Sequence, residues 1–272
     1  MAPKLKSSSV TLIPVKLPRV EPGQNLESTI LQAFKKQKVS LRNGDVVSVA
    51  SKVVSICKRR IMSLDDVEVS ERARRIAKRW AIDGRLAEVV LHEAEAILGG
   101  VKGFLLTVKN GNLTANAGVD LKNSPPGTVI LWPEDADRSA RELQKSLEVA
   151  FRLQLCVEIV DSRVTPLRLG TTGLAIGLSG FLPVRDERGK LDLYGRRVRA
   201  TQTNIADDLA AAAHLLMGEV DERVGVVVIR NAPLILGEEY ASRRVKLGAE
   251  RCLITSNIST TLQALKRRSQ FI

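Results

Sequence analysis

The chain has 272 residues, 44% of them hydrophobic, and a formal net charge of +12; this is enough to bury one large core or two joined ones. No apolar run of 18 residues is present, which argues against a membrane-spanning helix. Five Phe, two Tyr and two Trp are too few and too scattered for the stacking platforms of a single-strand nucleic-acid binder. We therefore expect an electropositive pocket for small anions rather than a nucleic-acid partner, and a solvated basic surface remains the open alternative.

The first part of the chain predicts two strands and two helices. Residues 11–20 begin as a strand and end in Leu17-Pro18-Arg19-Val20, after which Asn25 caps a helix. Residues 46–50 predict a buried strand ending at Ser51-Lys52, a polar pair that suits a phosphate contact. Residues 70–80 predict a strongly basic helix.

The middle of the chain predicts a hairpin followed by a strand and a helix. Residues 104–108 and 113–115 flank an Asn110-Gly111 turn, the residue pair preferred in type I′ hairpins. This hairpin leads into a polar loop over residues 116–123. Residues 129–131 predict a strand, and Pro133 with Asp135 opens the next helix.

The last part of the chain predicts alternating strands and helices. The apolar run 155–160 predicts a strand, 206–217 an alanine-rich helix that ends at Gly218, and 225–229 another buried strand. The fold class is therefore α/β (mixed α+β), with a main domain over 10–232. Residues 233–272 predict an appended strand and helix. Neither G-x-G-x-x-G nor G-x-x-x-x-G-K-[ST] is present, so neither a dinucleotide fingerprint nor a P-loop is predicted.

Two aspartates in polar surroundings are the strongest candidates for a site. Asp120 closes the run from Asn116, and Asp161 ends an apolar run where we expect a polar loop to begin. Carboxylates placed after buried strands are common ligand-binding positions in α/β proteins. Together they suit a hard cation, Mg²⁺ or Mn²⁺, that also binds a phosphate. The alternative is that each aspartate only caps a turn.

The histidines and cysteines of this sequence do not suit nucleophilic catalysis or a zinc site. The two histidines, His92 and His214, lie on helical segments and suit structural or surface positions. Cys57, Cys156 and Cys252 are far apart and form no zinc-like cluster or C-x-x-C pair, which is typical of a reducing cytoplasm. The first nine residues lack the apolar stretch of a signal peptide. Oxygen-ligand metal chemistry with many cations remains, and it suits phosphoryl transfer.

Five motifs then follow one another along the chain: Asn116-Ala117-Gly118-Val119-Asp120 with Asn123; Leu131-Trp132-Pro133-Glu134-Asp135-Ala136-Asp137 with Ser139-Ala140-Arg141; Asp186-Glu187-Arg188-Gly189; Asp192-Leu193-Tyr194-Gly195-Arg196; and Ala206-Asp207-Asp208-Leu209-Ala210. In this order they resemble the coenzyme F(420)-0:L-glutamate ligases over residues 13–230.

The resemblance implies a GTP-dependent ligase that adds L-glutamate to a deazaflavin coenzyme precursor through amide bonds, the later ones γ-linked. It implies an α/β homodimer of the family's own fold that needs Mg²⁺ or Mn²⁺, with K⁺ helping. It also implies that the acceptor carboxylate is phosphorylated to an acyl phosphate, which the glutamate amine attacks. Lys and Arg side chains would then stabilise the charge on the transferred phosphoryl group.

The resemblance also assigns residues. Asp120, Asp161 and Ser162 match metal ligands, and Gln202 stands where the family has an acidic ligand. Asp120, Asp161 and Lys52 are the implied catalytic residues, and the GTP contacts fall on Leu17, Pro18, Arg19, Val20, Ser51, Lys52 and Asn123. Ile56 replaces a second lysine of the family. Two alternatives stay open: the same chemistry on a folate or pterin acceptor, and a nucleotide- or anion-binding homologue with weakened catalysis.

Overall fold

A computed structural model describes residues 9–237 and 240–257. Its strands are β1 Thr11–Lys16, β2 Val46–Ala50, β3 Ile61–Ser63, β4 Ala96–Val101, β5 Phe104–Lys109, β6 Asn112–Ala115, β7 Thr128–Ile130, β8 Cys156–Val164, β9 Thr171–Ser179, β10 Val184–Asp186, β11 Gln202–Asn204 and β12 Val224–Arg230. Its α-helices are α1 Leu26–Lys36, α2 Ser51–Cys57, α3 Glu71–Trp80, α4 Gly84–Glu93, α5 Ala136–Phe151 and α6 Ile205–Met217.

A five-stranded mixed sheet forms the centre of the structure, in the order β1-β12-β2-β8-β9. Strands β2 and β8 run parallel, and the other neighbouring pairs run antiparallel. Side chains along these strands alternate between two cores, as the pleat of a strand requires. Val47 and Val157 belong to the core beneath α1, α2 and α5, whereas Val46 and Cys156 belong to the core beneath α6. This double coverage explains why the paired residues of both strands are mostly apolar, with Ser48 and Glu158 as the exceptions.

A second group of elements packs around a third hydrophobic cluster. Here side chains of α3 and α4 pack with those of the antiparallel sheet β4-β5-β6, and β7 of the small pair β3–β7 contacts α2. The hairpin turn between β5 and β6 has positive φ at both Asn110 (47°) and Gly111 (67°). Those angles are the ones that a type I′ turn requires, so the predicted hairpin is confirmed.

Most of the predicted elements are confirmed. The mixed α/β class is observed, and Asn25 caps α1 by accepting a hydrogen bond from the N–H of Ser28 at 2.8 Å. The strands over 46–50 and 225–229 and the helix over 206–217 lie where they were expected, within a residue at either end. In the described residues, no helix has the length and apolar character needed to cross a bilayer.

The end of the chain differs from the prediction. Between 233 and 257, the described residues contain only the bridge of Leu236 to Phe181 and two short 3-10 helices, Ser242–Val245 and Thr255–Asn257. The expected strand is thus reduced to one bridge, and no α-helix lies within those residues; 258–272 lie outside the described residues. Ser242 donates hydrogen bonds to Asp137 from both its N–H and its hydroxyl, so this segment contacts the start of α5.

Candidate active site

A cavity of about 580 Å³ lies at the carboxyl ends of the parallel strands β2 and β8. The last residue pair between these strands is Ala50 with Val160. Ser51 therefore follows directly after the pairing in β2, and Asp161 directly after it in β8. Carboxyl ends of parallel strands meet at one sheet edge, the usual place for a ligand in α/β folds. The remaining walls are the segment after β1, the loop after Asp120 and the loop after α6.

Lys52 and Asp120 form an ion pair across this cavity, with Lys52 Nζ 2.8 Å from Asp120 Oδ2. Both side chains are only partly exposed, at 26% and 35%, so the pair is less screened than one on an open surface. The backbone of Asp120 is fixed by two hydrogen bonds to Ile130, at 2.8 and 2.9 Å. Lysine and carboxylate are therefore held together by two separate parts of the fold.

Asp161 is the second carboxylate of the cavity, and Trp132 donates a hydrogen bond to it from its indole nitrogen Nε1. Desolvation raises the pKa of Asp161, while hydrogen bonds from the Ser162 backbone, Trp132 and Ser51 lower it, and the charge of Asp120 raises it further. The net direction is upward. A pKa raised by desolvation and by a neighbouring carboxylate is common among carboxylates in functional clefts.

The surroundings of Asp161 differ from the prediction in one respect. The sequence suggested that a loop begins at Asp161, but β8 continues to Val164. The reason is that β9 pairs with β8 up to Val164, opposite Thr171, whereas the pairing with β2 ends at Val160. Asp161 is thus at the end of the β2–β8 ladder and in the interior of the β8–β9 ladder, which gives its backbone a rigid support.

The structure brings most of the predicted site residues together around the cavity. The lining includes Leu17, Pro18, Arg19, Val20, Ser51, Lys52, Asp120, Asn123, Asp161 and Ser162. Asn116, which the sequence grouped with them, is instead buried and accepts a hydrogen bond from the Leu105 N–H at 2.8 Å. Its role here is to fix the loop that carries Asp120.

Gln202 lies elsewhere in this chain. It is an exposed residue of β11, where it pairs with Asp186 of β10 in a separate two-stranded ribbon. It is not among the residues that line the cavity. The assignment of Gln202 to the metal stays a prediction that the geometry of one chain does not support.

Glu219 is a lining residue that the sequence reading missed. Its carboxylate lies 2.6 Å from Lys122 Nζ, 2.8 Å from His214 Nε2 and 2.9 Å from the Thr171 hydroxyl. Burial would raise the pKa of Glu219, but these hydrogen bonds outweigh it and lower the pKa to about 2. His214, expected to be structural, therefore lines the site and holds this carboxylate. The position of Glu219 just after the Gly218 helix end was the available sequence clue.

The charge of the cavity is opposite to the prediction. Among the described residues, six carboxylates line it (Glu21, Asp120, Asp161, Glu219, Asp221, Glu222), against the three cations Arg19, Lys52 and Arg223. Within the described residues, the basic excess thus lies outside the cavity, for instance on the exposed face of α3. A polyanionic substrate would enter this cavity only together with cations.

The donor set fits a hard divalent cation. Asp120, Asp161 and Ser162 offer carboxylate and hydroxyl oxygens, and the mutual charge effect of the two aspartates would be relieved by a cation between them. Across the described part of the chain, no group of three or more His, Cys, Asp or Glu side chains is arranged to hold a metal ion alone. Such a cation would take further oxygens from substrate phosphates and water, as Mg²⁺ commonly does.

Comparison with known proteins agrees with the motifs around this cavity. Residues 14–231 match the family described as F420-0:Gamma-glutamyl ligase. The chain belongs to this ligase family. The matched range includes both aspartates, Lys52 and the loop after α6, and it ends one residue after β12.

Several curated proteins named coenzyme F420:L-glutamate ligase are similar to this family member. The protein of Methanopyrus kandleri is 43% identical over 80% of this chain and 85% of its own length. The protein of Methanothermobacter thermautotrophicus is 36% identical over 82% and 90%, and that of Methanocaldococcus jannaschii is 35% identical over 84% and 90%. The similarity thus extends over most of both chains in each comparison.

Proposed function

We propose that this member of the F420-0:gamma-glutamyl ligase family is a GTP- and divalent-metal-dependent ligase that adds L-glutamate to coenzyme F420-0. The acceptor carboxylate would attack the γ-phosphorus of GTP, and GDP would leave. The glutamate amine would then attack the acyl carbon, and phosphate would leave as the amide bond forms and the amine loses its proton. A homodimer and a K⁺ requirement belong to the same proposal through the family resemblance.

The observation that carries this proposal is the convergence of Lys52, Asp120 and Asp161 on one cavity with an excess of carboxylates. A nucleoside triphosphate is repelled by carboxylates unless cations neutralise both. A divalent ion held by Asp120, Asp161 and Ser162 would supply that neutralisation. The charge of the cavity and the family resemblance both support the proposed metal requirement.

The side chains divide the remaining tasks. Lys52, at the start of α2, is placed to bind a phosphate oxygen and to stabilise the charge on the transferred phosphoryl group. Asp120 orients Lys52 through their ion pair. Leu17 to Val20, Asn123 and the loop after α6 form the walls around the nucleotide. Trp132 and Ser51 fix the Asp161 carboxylate.

Phosphate release provides the test. Purified protein with Mg²⁺ or Mn²⁺ should release phosphate from GTP only when F420-0 and L-glutamate are both present. Asp120→Asn and Asp161→Asn should each lower turnover by several orders of magnitude while the thermal unfolding profile stays cooperative. Near-normal turnover of either variant at saturating Mn²⁺ would refute the assignment of the two aspartates.

The reaction products distinguish this proposal from two alternatives, a folate or pterin acceptor and a homologue with weakened catalysis. Mass spectrometry of reactions with F420-0 and, in parallel, a folate or pterin acid identifies the acceptor and counts the glutamates added. A glutamylated folate without glutamylated F420-0 would replace the proposed acceptor and keep the chemistry. Nucleotide binding without any amide product would favour a homologue with weakened catalysis.

A further inference from the structure

The loop after Asp120 and the loop after α6 are joined by two polar contacts at the edge of the cavity. Lys122 Nζ lies 2.6 Å from Glu219 Oε2, and the Asn123 side-chain amide donates to the Val220 carbonyl at 2.7 Å. The Lys122 N–H also donates to Asp120 Oδ1 at 2.7 Å. The Lys122 backbone thus contacts the candidate metal ligand Asp120, and its ammonium group pairs with Glu219, a carboxylate that lines the cavity.

Of the three cations among the described lining residues, two are already engaged in ion pairs. Lys52 is paired with Asp120, and the largely exposed Arg19 lies 3.5 Å from Glu21. One turn after Lys52, the inward position on α2 is Ile56, an apolar lining residue. A triphosphate carries more negative charge than one divalent ion and Lys52 neutralise, so a further ammonium at the edge of the cavity would be used.

We propose that Lys122 is a further phosphate-binding residue, which leaves Glu219 and binds a β- or γ-phosphate oxygen when the nucleotide enters. This inference rests on the proposed function. The Lys122 side chain is 58% exposed, and an exposed lysine–carboxylate pair contributes little stability. Separating the Lys122–Glu219 pair therefore costs less free energy than a charged hydrogen bond to phosphate supplies.

Glu219 does not depend on Lys122 to remain paired. Thr171 and His214 contact the other oxygen of the same carboxylate, Oε1, at 2.9 and 2.8 Å. After Lys122 moves, Glu219 Oε2 faces the cavity, where a cation or a water molecule can bind to it. The exchange thus does not leave the partly buried Glu219 carboxylate without a partner, which would otherwise oppose it.

Equilibrium binding of GMP, GDP and GTP, each with Mg²⁺, tests the role of Lys122. Lys122→Gln should weaken GTP binding about tenfold, the fold-change of one lost charged hydrogen bond, and leave GMP binding within twofold. The KM for GTP should rise by the same factor with little change in kcat, and Lys122→Arg should recover most of the affinity. Lys145→Gln, which removes an exposed lysine of α5, is the matched control and should behave as the unaltered protein.

The outcomes separate this inference from the proposed function. Equal losses for GMP and GTP would mean that Lys122 only supports the wall of the cavity, and no loss would mean that it is a surface ion pair; both overturn the inference. Failure of the unaltered protein to bind Mg²⁺–GTP would refute the proposed nucleotide itself, and the assignment of Lys122 with it. A loss that grows from GMP to GTP supports direct contact with the phosphates.

Discussion

The indole of Trp132 lies against Gly118 and donates its only N–H to Asp161. A Cβ at Gly118 would lie 2.3 Å from Trp132 Nε1, and the φ of Gly118 is +72°. Glycine is therefore needed at this position for both space and backbone conformation. This contact connects two motifs, the one ending at Asp120 and the one beginning at Leu131, to the carboxylate of a third segment. Both motifs thus serve the placement of Asp161.

Trp132→Phe should weaken Mn²⁺ binding in the presence of GTP about fivefold or more, since the partly buried carboxylate of Asp161 loses one hydrogen-bond donor while the ring remains apolar. The free energy of unfolding should fall by about 1–3 kcal/mol for the same reason. Titration calorimetry and urea unfolding measure the two effects. Trp80→Phe is the control, because Trp80 packs in the third cluster and stacks with Arg79; Mn²⁺ affinities that fall equally in both variants would contradict this role of Trp132.

The sequence predicted the strands and both aspartates because these depend on local patterns. Residues 46–50 and 155–160 are apolar runs bounded by polar residues, and Asp120 and Asp161 stand at the changes in polarity. The continuation of β8 past Asp161 was missed because pairing with β9 is a long-range hydrogen-bond pattern. Glu219 was missed because its partners Lys122 and Thr171 are distant in sequence, and no local pattern shows that they meet.

Two glycines of β9 allow helices to approach the central sheet from opposite sides. A Cβ at Gly173 would lie 2.1 Å from the Ala210 carbonyl oxygen of α6, and one at Gly177 would lie 2.4 Å from the Ala136 carbonyl carbon of α5. Because both neighbours are backbone atoms, Gly173→Ala or Gly177→Ala should lower the free energy of unfolding by about 3 kcal/mol. Urea unfolding measures it, and Thr172→Ala, next to Gly173 on the same strand, should cost about 1 kcal/mol or less. Losses as small as that control would mean that the helices shift freely.

Metal titration compares Glu219 with Gln202. Glu219 lines the cavity and Gln202 does not, so Glu219→Gln should weaken Mn²⁺ binding with GTP about tenfold, and Gln202→Glu should leave it unchanged. Calorimetry on both variants decides which residue contributes to metal binding. The geometry of one chain favours Glu219, whereas the family resemblance favours Gln202 and predicts tighter Mn²⁺ binding for Gln202→Glu. Tighter Mn²⁺ binding by Gln202→Glu would contradict the geometry and place Gln202 in the metal site.

Glu158 offers a test of stability against pH away from the cavity. It is fully buried in β8 beneath α6, where desolvation raises its pKa well above 4.5; the Ser48 hydrogen bond lowers it in part, and the charge of Asp207 raises it further. The unfolded chain therefore releases this proton near pH 4.5, whereas the folded protein keeps it. Above that pH the folded state binds more protons than the unfolded state, so the contribution of Glu158 to the free energy of unfolding falls as pH rises, by about 1.4 kcal/mol per pH unit up to the folded pKa.

Glu158→Gln removes this dependence, because glutamine has nearly the shape of the protonated acid and does not ionise. Relative to the unaltered protein, the variant should gain free energy of unfolding as pH rises from 4.5 to 7.5, and urea unfolding at several pH values measures the difference. Glu68→Gln, which removes an exposed carboxylate, supplies the reference to subtract. Parallel stability curves for the variant and the unaltered protein would contradict this, because they would mean that Glu158 has the same pKa in the folded and unfolded states.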